Sequence, residues 1–358
     1  MNLKKLEEII FEMKQPNYRL DQIKRAVYRD GTSSFSEISS LPKDLRELLD
    51  EKIKILSFDA KKVLVAKDGC SVKALLKLKD GNFTETVLIS AIAGSWSACI
   101  SSQVGCPLGC GFCATGLMGF KRNLTAEEIS DQILFWRQYL KAKNLNLKSK
   151  NSKGENTLSN IVYMGMGEPF LNWENVRDSL RMFTQKDLFG LGSRSLSVST
   201  AGISDMIEKF ADEFPQVNLA VSLHFADEAK RSEYMPINRN YNLEKLRASL
   251  KKYFLKTKRK VFLEYIMLDE ANDSEKDAKK LVKYIQSIGN IKLLHVNLIR
   301  YNSISNSMNP SSKEKTVRFK NFLLESGINV TIRKSLGQDI QGACGQLAGR
   351  DILENEKN

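Results

Sequence analysis

From Cys99 to Arg333, short apolar segments alternate with amphipathic helical ones, and that rhythm leaves few folds open to the chain. Strand candidates lie at residues 98–102, 160–163, 195–199, 218–223, 260–266, 293–299 and 329–333. Helices between them are clearest at 126–140, 172–184, 243–253, 274–286 and 312–325. Thr125-Ala-Glu-Glu128 is a capping box that opens the first of these. Strands separated by helices imply right-handed crossovers and a parallel sheet. Six such units predict an α/β fold built as an open, partial (βα)6 barrel of the TIM type. Chemistry in such folds gathers where strands end and loops begin.

The loop after the first strand carries the strongest motif. Cys106, Cys110 and Cys113 stand in Gly-Cys-Pro-Leu-Gly-Cys-Gly-Phe-Cys-Ala-Thr-Gly, a C-x3-C-x2-C spacing. Three thiolates can hold three irons of a 4Fe–4S cube and leave the fourth iron open to a small molecule. A structural zinc site would need a fourth ligand, and no further Cys or His lies nearby. The run resembles the signature of the radical S-adenosylmethionine (SAM) enzymes.

Other strand ends repeat the theme. Gly165-Met-Gly-Glu-Pro169 follows the second strand, where glycines let backbone approach a ligand closely and Glu168 could pair with an ammonium. Ser199-Thr200, Ser222-Leu-His224 and Asn302 follow later strands. Singly, each is a turn or cap residue; together on one rim they argue for a site. His295 lies within a strand and reads as buried packing. Cys344 sits in a glycine-rich segment beyond the last strand, a place suited to a mobile, reactive thiol. Cys99 reads as core by pattern alone, and Cys70 as structural.

Ahead of the barrel, residues 1–55 form a small helical domain suited to docking RNA. Residues 56–95 contain a β-hairpin around Asp80-Gly81, 96–349 the core, and 350–358 a tail. Residues 141–157 lack periodicity and read as a mobile, solvated insertion. The net charge of +13 favours a polyanionic partner through phosphate neutralisation. Lys121-Arg122, Lys256–Lys260 and Arg333-Lys334 are the basic clusters. The mixed-charge N-terminus is no signal peptide and no apolar run approaches a membrane span, so the expected location is the cytoplasm.

Cys99 through Gly116, Gly-Met-Gly-Glu-Pro, Ser-Leu-His, Met235-Pro-Ile-Asn238 and Ala-Cys344-Gly-Gln-Leu together resemble one radical SAM family, the adenine methyltransferases of bacterial 23S rRNA. It comprises dual-specificity rRNA/tRNA carbon-2 enzymes (RlmN type) and carbon-8 resistance enzymes (Cfr type). The resemblance implies a cluster on Cys106, Cys110 and Cys113, with SAM held by Gly167, Glu168, Ser199, Ser222, Leu223, His224 and Asn302. It implies two SAM per turnover, a methyl-carrying Cys344, a resolving Cys99 that forms a transient disulfide, and Glu85 as proton acceptor. The implied partners are 23S rRNA, tRNA and a flavodoxin- or ferredoxin-like reductant, with the enzyme a monomer. Pro169, where resistance enzymes tend to carry Ala, points to carbon 2. His295-Val-Asn-Leu-Ile-Arg-Tyr-Asn302 resembles the carbon-8 branch, the alternative target. A basic Fe–S protein that binds RNA without catalysis is the reading from another class.

Overall fold

The computed structural model describes residues 1–92, 94–149, 157–304 and 307–349. Three helices open the chain: α1 (Leu3–Glu12), α2 (Tyr18–Lys24), which runs on as a π-helical turn over Arg25–Arg29, and α3 (Lys43–Lys52). Asn2 caps α1 by accepting from the Lys5 amide at 3.0 Å. The Met1 ammonium, fully buried, meets Asp131 at 2.7 Å. That pair joins the N-terminal helices to the barrel's first long helix.

A ten-stranded sheet follows. Its first four strands, β1 (Phe58–Val65), β2 (Ser71–Leu78), β3 (Phe83–Ile92) and β4 (Ser95–Cys99), pair antiparallel. The Asp80-Gly81 turn between β2 and β3 forms as expected, with Gly81 at φ +84°, a conformation open to glycine. β1 was not anticipated. Its Lys-rich, outward-facing alternation (Asp59, Lys61 and Lys62 among apolar residues) hides a short edge strand, and charge on an edge is how exposed edges are blunted.

After β4 the pattern changes. β5 (Gln103–Gly105) and β6 (Phe120–Asn123) form a small antiparallel ribbon that brackets the cysteine loop and a one-turn helix α4 (Ala114–Leu117). α5 (Ala126–Ser149) then leads to β7 (Thr157–Tyr163), which lies parallel to β4. β8 (Leu196–Thr200), β9 (Asn218–Ser222), β10 (Val261–Met267), β11 (Leu294–Arg300) and β12 (Asn329–Arg333) add in sequence order, all parallel. Helices α6 (Trp173–Thr184), α7 (Ser204–Glu213), α8 (Glu228–Tyr234), α9 (Leu243–Thr257), α10 (Glu275–Ile288) and α11 (Lys313–Glu325) occupy the connections. The seven parallel strands from β4 to β12 enclose the six βα units expected, and the sheet keeps two edges, β1 and β12. It is an open barrel.

The capping box is present in full: Thr125 Oγ1 accepts from the Glu128 amide at 3.1 Å, and Glu128 accepts from the Thr125 amide at 3.0 Å. The expected insertion over 141–157 needs correction. α5 continues nine residues past Leu140, to Ser149, and Lys143 lies over the Trp96 ring at 4.6 Å. Residues 150–156 and the tail from 350 lie outside the described residues. α7 and α8 were also missed; both are short, and α8 is mostly charged.

Candidate active site

The C-terminal ends of the strands surround a cavity of about 190 Å³. Cys99 from β4 and Cys106, Cys110 and Cys113 from the following loop line it, together with Gly167, Glu168, Ser199, Ser222, His224 and Cys344. Residues separated by more than two hundred positions in the chain thus share one wall. Three residues expected at the site do not face the cavity. Leu223 is buried, its carbonyl held by Arg231 at 3.2 Å. Asn302 lies beneath the loop that carries Cys344, donating to the Cys344 carbonyl at 3.1 Å and accepting from Ser335 at 2.6 Å. Glu85 is buried on β3, with both carboxylate oxygens occupied.

The cysteine loop is shaped by close backbone approaches. Gly105 has φ +75°, and a Cβ there would stand 1.9 Å from the Gly119 carbonyl. Next to it, the Cys106 amide donates to that carbonyl at 3.0 Å. Gly111 donates to the Tyr234 carbonyl at 3.0 Å, tying the loop to the end of α8. Leu108, Phe112, Phe225, Met235 and Ile266 pack around the three thiols. Burial pushes the Cys106 thiol up to about 12, and Cys110 higher still, with the neighbouring thiols adding to the rise. Free thiolates are unfavourable here unless a cation compensates them. Among the described residues no Cys, His, Asp or Glu group converges closely enough to hold one metal ion. Three thiols on one loop suit a cube, which takes one thiolate per iron.

Glu168 lies beside the thiols. Its oxygens accept from the Phe170 amide at 3.0 Å and the Ala201 amide at 2.7 Å, and its own amide donates to Gln103 at 2.8 Å. Burial raises its carboxyl to about 7 against the pull of those amides. A buried carboxylate so held gains from an approaching ammonium. Gly167, at φ +98°, leaves no room for a Cβ against Gln103. His224 is also in the left-handed region at φ +55°, and its Nδ1 accepts from the Ile266 amide at 3.1 Å. Burial, then the nearby Arg231, lowers it to about 3, so the ring is neutral and carries its proton on Nε2.

Two thiols stand apart from the loop. Cys99 is buried, and burial first, then Cys344, raises it to about 12 against the opposing pull of Arg333. Cys344 exposes its surface, but into the cavity, where protein surrounds it; burial raises it and Arg333 again opposes. Cys99, Cys344 and Arg333 line the same cavity.

Arg333 and Glu264 escaped the sequence reading as site residues. Arg333 meets Glu264 at 3.3 Å, Glu264 accepts from Asn297 at 2.9 Å, and Thr331 donates to Asn297 at 2.8 Å, a ladder across β10, β11 and β12. The signal was a Glu in mid-strand among apolar neighbours. His295 joins the far end of this ladder, 3.1 Å from Thr331, and is half-buried; it is not the buried packing residue expected. Arg231 was missed as well. Part of each basic cluster is committed within the fold: Arg122 grips Glu128 through two bonds of 2.8 Å and also pairs with Asp80, Lys256 meets Asp212 at 2.7 Å, and Arg333 meets Glu264.

Among the described residues no helix is long and apolar enough to cross a membrane. Residues 100–282 match the radical SAM superfamily, and residues 1–55 match the ribosomal RNA large subunit methyltransferase N-terminal domain. The chain is 40% identical to a probable dual-specificity RNA methyltransferase RlmN of Syntrophomonas wolfei, over 97% of this chain and 95% of that protein. It is 41% identical to a ribosomal RNA large subunit methyltransferase Cfr of Lachnoclostridium phytofermentans, over 98% and 99%. The crystal structure of a radical SAM methyltransferase from Sphaerobacter thermophilus superposes with a TM-score of 0.87 at 36% identity, covering 98% of both chains.

Proposed function

Because this chain belongs to the radical SAM methyltransferases of the RlmN and Cfr type, we propose that it methylates carbon 2 of an adenosine in the peptidyl transferase centre of 23S rRNA, and of the adenosine next to the anticodon in tRNA. The enzyme uses a 4Fe–4S cluster and SAM. Cys106, Cys110 and Cys113 would hold the cluster, which supplies the electron for reductive cleavage of SAM, drawn from a flavodoxin- or ferredoxin-like donor. Glu168 would accept the SAM ammonium, with Gly167, Ser199, Ser222 and His224 shaping the rest of the cradle.

The observation that carries the reading is that Cys99 and Cys344 face the same cavity as the three loop thiols. An adenine ring carbon such as C2 is no nucleophile toward SAM, so a methyl group must first be parked and activated. Cys344, on an accessible loop, would take that methyl from one SAM. The 5′-deoxyadenosyl group released from a second, reductively cleaved SAM would take a hydrogen atom from that methyl. The carbon would then bond to the ring, and the adduct would give up one electron and the ring C–H proton, the carbon taking up a proton when it later leaves sulfur. Cys99, buried alongside, would then attack the Cys344 sulfur, and the resulting disulfide would release the methylated base. External dithiols reset such a bond.

Pro169, which opens a short turn after Glu168, supports carbon 2. The Cfr-type relative supplies the second reading, methylation of carbon 8 of the same adenosine. Anaerobic reaction with unmodified 23S rRNA fragment and tRNA, followed by nucleoside mass spectrometry against 2-methyl- and 8-methyladenosine, separates the two. SAM cleavage with unaltered RNA would refute both. Cys344→Ala is expected to keep cluster absorbance and lose methylation. Cys99→Ala is expected to accumulate protein covalently attached to RNA, and normal turnover without a crosslink would refute its resolving role.

A further inference from the structure

The loop that carries Cys344 is gripped at both ends by one buried ion pair. Lys73 on β2 and Glu85 on β3 are each under 5% exposed, and their side chains meet at 2.9 Å. They project from the same face of the hairpin, because Leu75 stands opposite Glu85 and Lys73 opposite Val87. Lys73 donates a second bond, at 3.2 Å, to the Gln341 carbonyl. The other oxygen of Glu85 accepts from the amides of Ala348 at 2.7 Å and Gly349 at 3.1 Å. Residues 342–347, with Cys344 among them, arch over the cavity between those two holds.

Smaller contacts follow the same course. The Lys67 amide donates to Asp339 at 2.8 Å, Ala114 to the Gly345 carbonyl at 2.8 Å, and Thr115 to the Leu347 carbonyl at 2.6 Å. Leu347 packs with Val87, Cys99 and Met166. A buried ion pair contributes little net stability, because desolvation offsets attraction. What it supplies is a fixed geometry, since every charged atom demands its partner.

We propose that Lys73 and Glu85 are positioning residues, a two-ended clamp that sets the Cys344 sulfur against Cys99. The clamp gives Glu85 a task other than proton acceptance: its oxygens are engaged within 3.1 Å and it does not line the cavity. The consequence for turnover rests on the role proposed above for Cys344, whereas the clamp itself does not.

Hydrogen exchange of the full-length protein, prepared anaerobically and without SAM, tests it. Lys73→Met and Glu85→Gln are each expected to speed exchange of residues 341–349 by about tenfold or more, while peptides from β8 and β10 stay protected. Lys73→Arg, which retains charge and donors, is expected to stay within about threefold of wild type. RNA methylation should fall in parallel, in Lys73→Met as in Glu85→Gln. Loss of methylation in Glu85→Gln with unchanged exchange of 341–349 in both variants would overturn the clamp and return Glu85 to direct chemistry. Equal acceleration in Lys73→Met and Lys73→Arg would also overturn it. Wild-type protein that leaves RNA unmethylated would refute the functional reading alone, because exchange is measured without RNA.

Discussion

Arg231 is fully buried, and among the described residues no carboxylate pairs with it, so its removal should be costly in a calculable way. Its guanidinium donates to the Ala201 carbonyl at 2.7 Å, to Asn238 Oδ1 at 2.7 Å and to the Leu223 carbonyl at 3.2 Å. These acceptors belong to the rims of β8 and β9 and to the Met-Pro-Ile-Asn segment after α8. Arg231→Met strands all three in a site without water access. Two short charge-assisted bonds at about 2 kcal/mol each and one longer bond at about 1 kcal/mol give roughly 5 kcal/mol. Relief of guanidinium desolvation returns about 1–2 kcal/mol, leaving a loss of about 3–4 kcal/mol. With an unfolding entropy of about 2.1 cal/mol/K per residue, a chain of 358 residues loses about 4–5 °C in Tm. Differential scanning calorimetry of the cluster-free protein measures this directly. Arg231→Lys should recover less than half, because an ammonium cannot span three acceptors fixed to a planar fork. The Tyr234 carbonyl holds Gly111 of the cysteine loop, so the reconstituted variant should also shed iron faster. A midpoint within 1 °C of wild type, or full recovery by Lys, would refute the reasoning.

Two further outcomes follow from the same geometry. Gly105→Ala would drive a methyl group into the Gly119 carbonyl at 1.9 Å and force a left-handed residue to carry a Cβ; a loss of about 3 kcal/mol or more in urea titration is expected, and a loss below about 1 kcal/mol would show that the ribbon can part. His224, lowered to about 3 by burial, adds stability that is present above its unfolded value near 6.5 and is lost as pH falls toward 3, on the order of 5 kcal/mol. His224→Asn, which tolerates the left-handed backbone, should flatten the acid limb of the stability curve, and parallel limbs would contradict the burial assignment.

The barrel was legible because its strands are short and apolar and its helices amphipathic, signals that need no tertiary context. β8 to β12 begin and end within a residue or two of where periodicity places them. β1 and α8 were not legible, since an edge strand and a charged helix owe their form to what they pack beside. The same division holds for the candidate site. Cys106, Cys110, Cys113, Gly167, Glu168, Ser199, Ser222 and His224 stand at strand ends, where topology alone brings them together. Arg231 could not be singled out, because its partners are remote in sequence, whereas Arg333 showed only as part of a basic cluster and Glu264 only as a charge among apolar strand residues. Met235-Pro-Ile-Asn238 was noticed as a motif, yet its physical reason, an Asn that receives a buried guanidinium, appears only in three dimensions.

The open seam of the barrel explains why a β-hairpin belongs to this fold. A sheet of seven parallel strands keeps a free edge at β12, and on the far side β4 is continued by the antiparallel strands β3, β2 and β1. The chain leaves β12 at Arg333 and reaches that extension within a few residues: Asp339 takes the Lys67 amide, and Gln341 takes Lys73. Residues 335–349 therefore bridge the two sides of the sheet where a closed barrel would have had further strands. A closed ring would fill this seam with backbone hydrogen bonds and leave no place for a thiol to approach the cavity. An open ring with no bridge would leave that thiol unplaced. With the bridge anchored on both sides, Cys344 reaches the cavity rim on a segment that holds its position through side-chain and backbone contacts at its ends, while its middle remains free of sheet pairing. The carrier role proposed for Cys344 needs that combination, since such a thiol would meet SAM, RNA and Cys99 in turn from one location.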